Sequence, residues 1–408
     1  MDELIQNITN FSIFTESVKE YFSNISFNSV IMTIMMVFMV VGAVDKVQGN
    51  KRGYGAAFDE GFHAMGPLAI AMVGVIAAAP ALCILLQPFI TPIYEFFGAS
   101  PAVFATTLLG CDMGGYPLAM SLAGGDETIG NFAGLIVGST MGCILLFDIP
   151  VALTLIKKQD RSILAFGILL GLVTVPVGCF AGGLCMNLTP YKIDVLTIVQ
   201  NLIPVTIVAV IIGAGLWFKP VAMMNGFNKF GTAVTGTIAI FTAIAVFQFQ
   251  TGIRFPLFNT MVEAAEETGI SPLTDALIIV GNIALVLIGA FPMVEWVKKT
   301  FNKPLMLFGK KLGMNEAGSA GFVASLANNI PVFAMLHEMN PKGKLMNIAF
   351  AACGAFILGD HLGFTAGVNK EMILPVIIAK LVAGSLAVLL AYLLADKLLG
   401  KAGISEDE

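Results

Sequence analysis

The chain has 408 residues, of which 57% are hydrophobic and 12% charged, with a formal net charge of -5 and a mean hydropathy of +0.87. An ordinary soluble domain is about 25% charged, so composition excludes a soluble protein, gives nucleic acid no footing and defines an all-α polytopic membrane protein. Six cysteines, Cys83, Cys111, Cys143, Cys179, Cys185 and Cys353, lie mostly in apolar segments without paired metal-ligand spacing and read as small hydrophobes.

Residues 1–27 hold no spanning run and are acidic and polar at the start, with no A-x-A-like site after the first apolar run, which argues against a cleaved signal peptide. Leu4, Ile5, Ile8, Phe11, Phe14, Val18, Tyr21 and Phe22 recur at helical spacing, as in an amphipathic helix lying in the interface; a loosely ordered tail is the alternative. The first span is expected at 28–44, before a basic loop with Lys46, Lys51 and Arg52. A short amphipathic stretch, 56–65, precedes a second span at 66–88. Residues 99–124 are apolar, yet Gly110, Gly114, Gly115 and Pro117 surround Asp112. Glycine and proline so clustered interrupt a helix, and interrupted backbone at membrane depth needs protein or water to satisfy it, so the stretch reads as a re-entrant hairpin or broken helix. Spans at 129–156, carrying Asp148 and Pro150, at 162–184 and at 196–218 follow.

The second half echoes the first. Pro80 and Pro92 have the same spacing as Pro292 and Pro304, and Phe89 precedes Pro92 as Phe301 precedes Pro304. Asp148 meets Asp360 at the same offset, Tyr116-Pro117-Leu118 meets Ile330-Pro331-Val332 two residues further off, and AAFDEG is echoed by AAEETG at 264–269. Matches in this order point to an internal duplication. If 99–124 and its counterpart 313–338 dip in and return, nine crossings remain. Seventeen of the 22 basic residues then fall on one face, among them Lys157, Lys299, Lys311 and Lys342, and only Lys19, Lys192, Arg254 and Lys370 on the other. The rich face is cytoplasmic by the positive-inside rule, and the two repeats have opposite topology. The expected division is an N-terminal segment 1–27, a first repeat 28–185, a linking helix region 186–231 and a second repeat 232–408.

The centre of this plan is AFILGDHLGFTAG, 355–367, where an aspartate and a histidine lie inside an apolar run with Gly359, Gly363 and Gly367 four residues apart. Ionisable groups at that depth are expensive and mark a functional site by default. With it go Asp112, Asp148 and the Asn328-Asn329-Ile330-Pro331 stretch, all at helix interruptions. Inverted repeats with discontinuous helices are a recurring plan of secondary transporters. Each residue has a structural alternative. Asp112 and the two asparagines are good helix caps; for Asp148, near a helix end, the alternative is solvation at the cytoplasmic face, and for Asp360 with His361 it is a structural ion pair. His337 and Glu338, beside a basic loop, read as surface groups and His63 as interfacial. Tyr116, Phe147, Phe333 and Phe364 are candidate walls for a cation.

The stretches GCDMGGYPLAMSLAG, FDIPVAL and SLANNIPVFAMLHEMNPKGKLMNIAFAACGAFILGDHLGFTAG resemble the ethanolamine-utilisation permease family of bacteria, across nearly the whole chain from about residue 28. The resemblance implies import of ethanolamine across the bacterial cytoplasmic membrane. Protonated ethanolamine offers an ammonium suited to carboxylates and aromatic faces and a hydroxyl suited to an amide, so the substrate-binding candidates are Asp112, Tyr116, Asp148, Asn328, Asn329, Asp360, His361 and Phe364. Rival classes are a channel-like facilitator and an intramembrane hydrolase using paired aspartates; no HExxH occurs. No P-loop is present, and no metal or cofactor is expected. Uniport and proton- or sodium-coupled transport remain open, as does a homo-oligomer.

Overall fold

The computed structural model describes residues 10–265 and 269–402, and every regular element among them is helical. Eight helices are long and apolar enough to cross a bilayer: Phe27–Val47, Tyr54–Phe96, Glu127–Leu155, Lys158–Met186, Val195–Phe218, Pro220–Thr251, Pro272–Lys311 and Lys370–Ala402. At a rise of about 1.5 Å per residue, about 20 apolar residues suffice to cross. The expected spans therefore appear, several of them longer than hydropathy alone suggested. The span expected at 66–88 continues to Phe96, through Pro80, Pro88 and Pro92.

Short polar residues start these helices by taking the otherwise unpaired first amides. The Ser26 hydroxyl accepts from the Ser29 amide, Asp126 from Ile129, Ser271 from Thr274 and Asn340 from Gly343. Asp194 caps its helix on the Thr197 amide and hydroxyl, and those bonds hold its carboxyl below the ordinary range. Before the first span lies the helix Ser12–Ser23, none of whose side chains is buried. It carries Phe14, Val18, Tyr21 and Phe22 of the amphipathic pattern; Leu4, Ile5 and Ile8 lie outside the described residues, as do positions 266–268 of the AAEETG echo.

The interruptions expected at 99–124, 328–331 and 359–361 occur, whereas at Asp148 and Pro150 the helix does not break but passes from π- to α-winding and continues to Leu155. Residues 99–124 form the helices Ala102–Leu108 and Gly115–Leu122 around a tight turn at Cys111–Met113, where Gly114 takes φ +83°. Residues 313–338 form Glu316–Ser325 and Ile330–Ala334 around an unwound Leu326–Asn329. A third break separates Pro341–Gly354 from Asp360–Val368. Its backbone is satisfied by the second break, since the Phe356 and Leu358 amides donate to the Ser325 and Leu326 carbonyls at 3.0 Å each.

The core is densest where Arg161–Met186, Pro341–Gly354 and Ile373–Ala402 pack on one another and on the 127–155 helix. That last helix is unusual: residues 132–142 and 144–148 are wound as π-helix, a wide form that is rare and concentrates at functional sites. Its Gly142 lies so close to the first break that a Cβ there would stand 1.9 Å from the Leu109 carbonyl oxygen. Gly359 meets the second break in the same way, 2.1 Å from the Ala327 carbonyl oxygen. Only glycine permits these two backbone approaches.

Candidate functional site

The three breaks and the π-helical stretch converge on one buried polar centre. Asn329, wholly buried, donates from Nδ2 to Asp148 Oδ1 at 2.7 Å and to the Ala351 carbonyl at 3.0 Å, while its Oδ1 accepts the Ser325 hydroxyl at 2.8 Å. Its neighbour Asn328 does two tasks. Oδ1 accepts the Ile330 amide at 2.8 Å, capping the short helix after the break, and Nδ2 donates to Asp360 Oδ2 at 3.0 Å. Adjacent asparagines thus hold one aspartate each, and the two aspartates come from opposite halves of the chain.

His361 does not pair with its neighbour Asp360. Its Nε2 stands 3.7 Å from Asp112 Oδ1, on the first break, too far for a hydrogen bond but close enough for an ion pair if the ring is protonated. The ring also lies 4.9 Å from that of Phe356, a residue at φ +62° inside the third break. Asp148 is fully buried, so solvation at a membrane face is not its role. Phe364 and Tyr116 make an edge-to-face pair at 5.9 Å, and Phe147 makes one with Phe356 at 5.5 Å. Phe333 is buried. The Tyr116 hydroxyl leans towards Asn131 at 3.5 Å. The structure therefore gathers Asp112, Asp148, Asn328, Asn329, Asp360 and His361 into linked contacts, with Tyr116 and Phe364 paired beside Asp112's turn. His63 and His337 are exposed, as expected.

Sequence reasoning missed one charge. Assigning 17 and 4 of the 22 basic residues to the two faces leaves Lys380, inside the last long helix. It is 1% exposed, and its Nζ donates to the Ser139 carbonyl in the π-helical stretch. The leftover of that tally was the available signal. Cys111 Sγ, an Asp112 carboxylate oxygen and a His361 ring nitrogen lie within 4.8 Å of one another, a mixed donor set able to hold a transition metal.

A cavity of about 260 Å³ leads to the centre from one side. Asn328, Pro331 and Asp360 line it together with Glu60, Glu295 and Lys298. Three of these groups are carboxylates and one is a lysine, a lining whose formal charge suits a cation. A larger groove of about 570 Å³, between 161–186 and 195–218, is lined almost wholly by aliphatic and aromatic side chains such as Val177, Phe180 and Ile207, and suits lipid rather than an ammonium.

The geometry defines a class: a many-span helical membrane protein whose helix breaks meet around buried carboxylates. Residues 27–394 match the family described as "Ethanolamine utilisation protein, EutH", and the chain belongs to that family. It is 49% identical over 376 residues to a Listeria monocytogenes protein named "Probable ethanolamine permease EutH", covering 92% of this chain and 96% of that one. The Escherichia coli protein of the same name is 44% identical, at 91% and 96% coverage. A Bacillus subtilis protein named "Uncharacterized protein YxeR" is 43% identical, at 88% and 92%. No solved structure matches.

Proposed function

We propose that this protein is a carrier that imports ethanolamine across the bacterial cytoplasmic membrane. The observation that carries the reading is the pair of bonds Asn328–Asp360 and Asn329–Asp148, which put two carboxylates at the meeting point of broken helices. Asp112 lies within coulombic range of both. Such a centre favours a small organic ammonium, and the relatives' names supply which one. Asp360, opening to the cavity, meets the ammonium; the asparagine amides and helix-break backbone are available to the hydroxyl.

The inverted-repeat plan belongs to this reading, with nine crossings once 341–368 counts as an interrupted one and 99–124 and 313–338 as re-entrant, and with repeats at 28–185 and 232–408 around a linker at 186–231. The caps Asp126 and Asn340 stand 214 residues apart and open helices that follow the two hairpins. The two backbone approaches, Gly142 on Leu109 and Gly359 on Ala327, repeat at nearly that offset. The Pro80–Pro92 and Pro292–Pro304 helices also pack against each other. The cavity lining includes Glu295 and Lys298, which this topology puts on the lysine-rich face, and that supports an inward-facing reading.

Labelled-ethanolamine uptake by purified protein in liposomes, with and without imposed pH and sodium gradients, tests the proposal. Saturable uptake with counterflow is expected of a carrier. Non-saturating flux without counterflow would favour the channel reading.

A further inference from the structure

One thiol at the polar centre has no part in the substrate reading. Cys111 stands in the turn of the first break, and that turn packs against the Asp360–Val368 helix that follows the third. Cys111 Sγ, a carboxylate oxygen of Asp112 and a ring nitrogen of His361 lie within 4.8 Å of one another. Zinc bonds of about 2.0–2.3 Å set tetrahedral ligands about 3.3–3.8 Å apart, and the 3.7 Å between His361 Nε2 and Asp112 Oδ1 falls in that range. His361 is 1% exposed, and its Nδ1 is buried without a hydrogen-bond partner among the described residues. A buried ring nitrogen left so calls for an explanation, and an ion is one. Cys111 is fully buried as well, and the set opens at Asp112, whose side chain is 19% exposed. Thiolate and carboxylate together balance a divalent ion at a depth where uncompensated charge is costly. Sequence spacing concealed the set because its members come from opposite halves of the chain.

We propose that Cys111, Asp112 and His361 form a zinc site that joins the first break to the third and shuts the carrier down when filled. The imidazole and the thiolate select zinc over magnesium or calcium, which take oxygen ligands. Binding releases the thiol proton to water. A bound ion occupies Asp112 and ties the first half of the chain to the second, so that the halves no longer move against each other as alternating access requires. The inhibition rests on the carrier reading; the metal site does not.

The test uses purified, reduced full-length protein. In detergent, ZnCl2 should raise the melting midpoint of wild type and MgCl2 should not, and CoCl2, a coloured stand-in for zinc, should give a thiolate-to-cobalt charge-transfer band. Cys111→Ser should abolish the band and weaken zinc by more than about tenfold, since even an outer-shell change costs that much. Cys83→Ser and Cys185→Ser, which remove the two partly exposed thiols, should alter neither reading. In liposomes, zinc should inhibit ethanolamine uptake by wild type, and Cys111→Ser should transport as wild type does but resist zinc. Should Cys111→Ser fail to accumulate, His361→Gln carries the zinc readings instead, with the same loss of affinity expected. A melting midpoint indifferent to zinc overturns the proposal. So does a cobalt band that survives loss of Cys111, or zinc bound through Cys111 with uptake unimpaired. Zinc bound through Cys111 by a wild type that takes up no ethanolamine removes the carrier reading and supports the metal site.

Discussion

The Asn329 amide donates to the Asp148 carboxylate at 2.7 Å across 181 residues of sequence. Both side chains are wholly buried, and the bond joins the unwound second hairpin to the end of the π-helical stretch. It couples the two halves where both have given up regular α-helix.

Removing the Asn329 amide strips Asp148 Oδ1 of its donor. Asn329→Ala should destabilise by about 1–3 kcal/mol, the cost of leaving a buried polar group unpaired. Asn329→Asp, which sets a like charge against Asp148, should be worse than alanine. Melting midpoints in detergent check both; an aspartate variant as stable as wild type would remove the bond from the account.

Asp360→Asn keeps the shape of the cavity lining and the contact to Asn328 while deleting the charge. Folding should survive, and affinity for ethanolamine should fall roughly ten- to hundredfold, the loss of one charge-assisted hydrogen bond. Ligand-induced thermal stabilisation reads this directly. Unchanged stabilisation would move the ammonium to Asp112.

Amino acids should compete poorly for uptake. Serine and alanine carry a carboxylate that would meet Asp112 and Asp360, and like charge is an effective means of rejection. Strong inhibition by either would argue against a centre with these carboxylates ionised.

Gly359→Ala should damage the protein more than a surface glycine change. The added methyl would meet the Ala327 backbone, which cannot rotate away as a side chain can. A loss of about 1–3 kcal/mol is expected from such overpacking, with Gly236→Ala, where nothing lies within 4 Å, as the neutral control.

Single cysteines in a background free of native cysteine should fix the orientation. An impermeant reagent added outside should label a position near Gly125, which is exposed, and spare one near Lys342, which is half-buried, each at an end of an interrupted segment. The reverse pattern at either would sink the inward placement of the lysine-rich face.

The helices and their breaks were legible in the chain because they follow from local terms. Apolar runs of spanning length dictate helix in lipid, where every backbone group must be satisfied internally, and the glycine and proline cluster at 110–117 and the Asn-Asn-Ile-Pro stretch at 328–331 mark where that fails. The candidate aspartates and asparagines were legible for a related reason: polar groups are rare in such runs, so each one stands out. Their partners were not. Neighbours in sequence suggested Asp360 with His361, yet the turn that opens the 360–368 helix points them to different groups, Asn328 and Asp112. Asp148 looked like a helix-end residue, and only the packing of 220–251 and 341–354 on its segment, with Asn329 bonded to its carboxylate, seals it from water. Lys380 was hidden by its own solitude in an apolar span. A lysine near a helix end snorkels to the interface, whereas this one turns inward, and that direction is set by which face of the last helix the other helices cover. Hydropathy thus determined what crosses the membrane and where it breaks. The rotation of each helix about its axis, which decides what charge meets what, came only from tertiary packing.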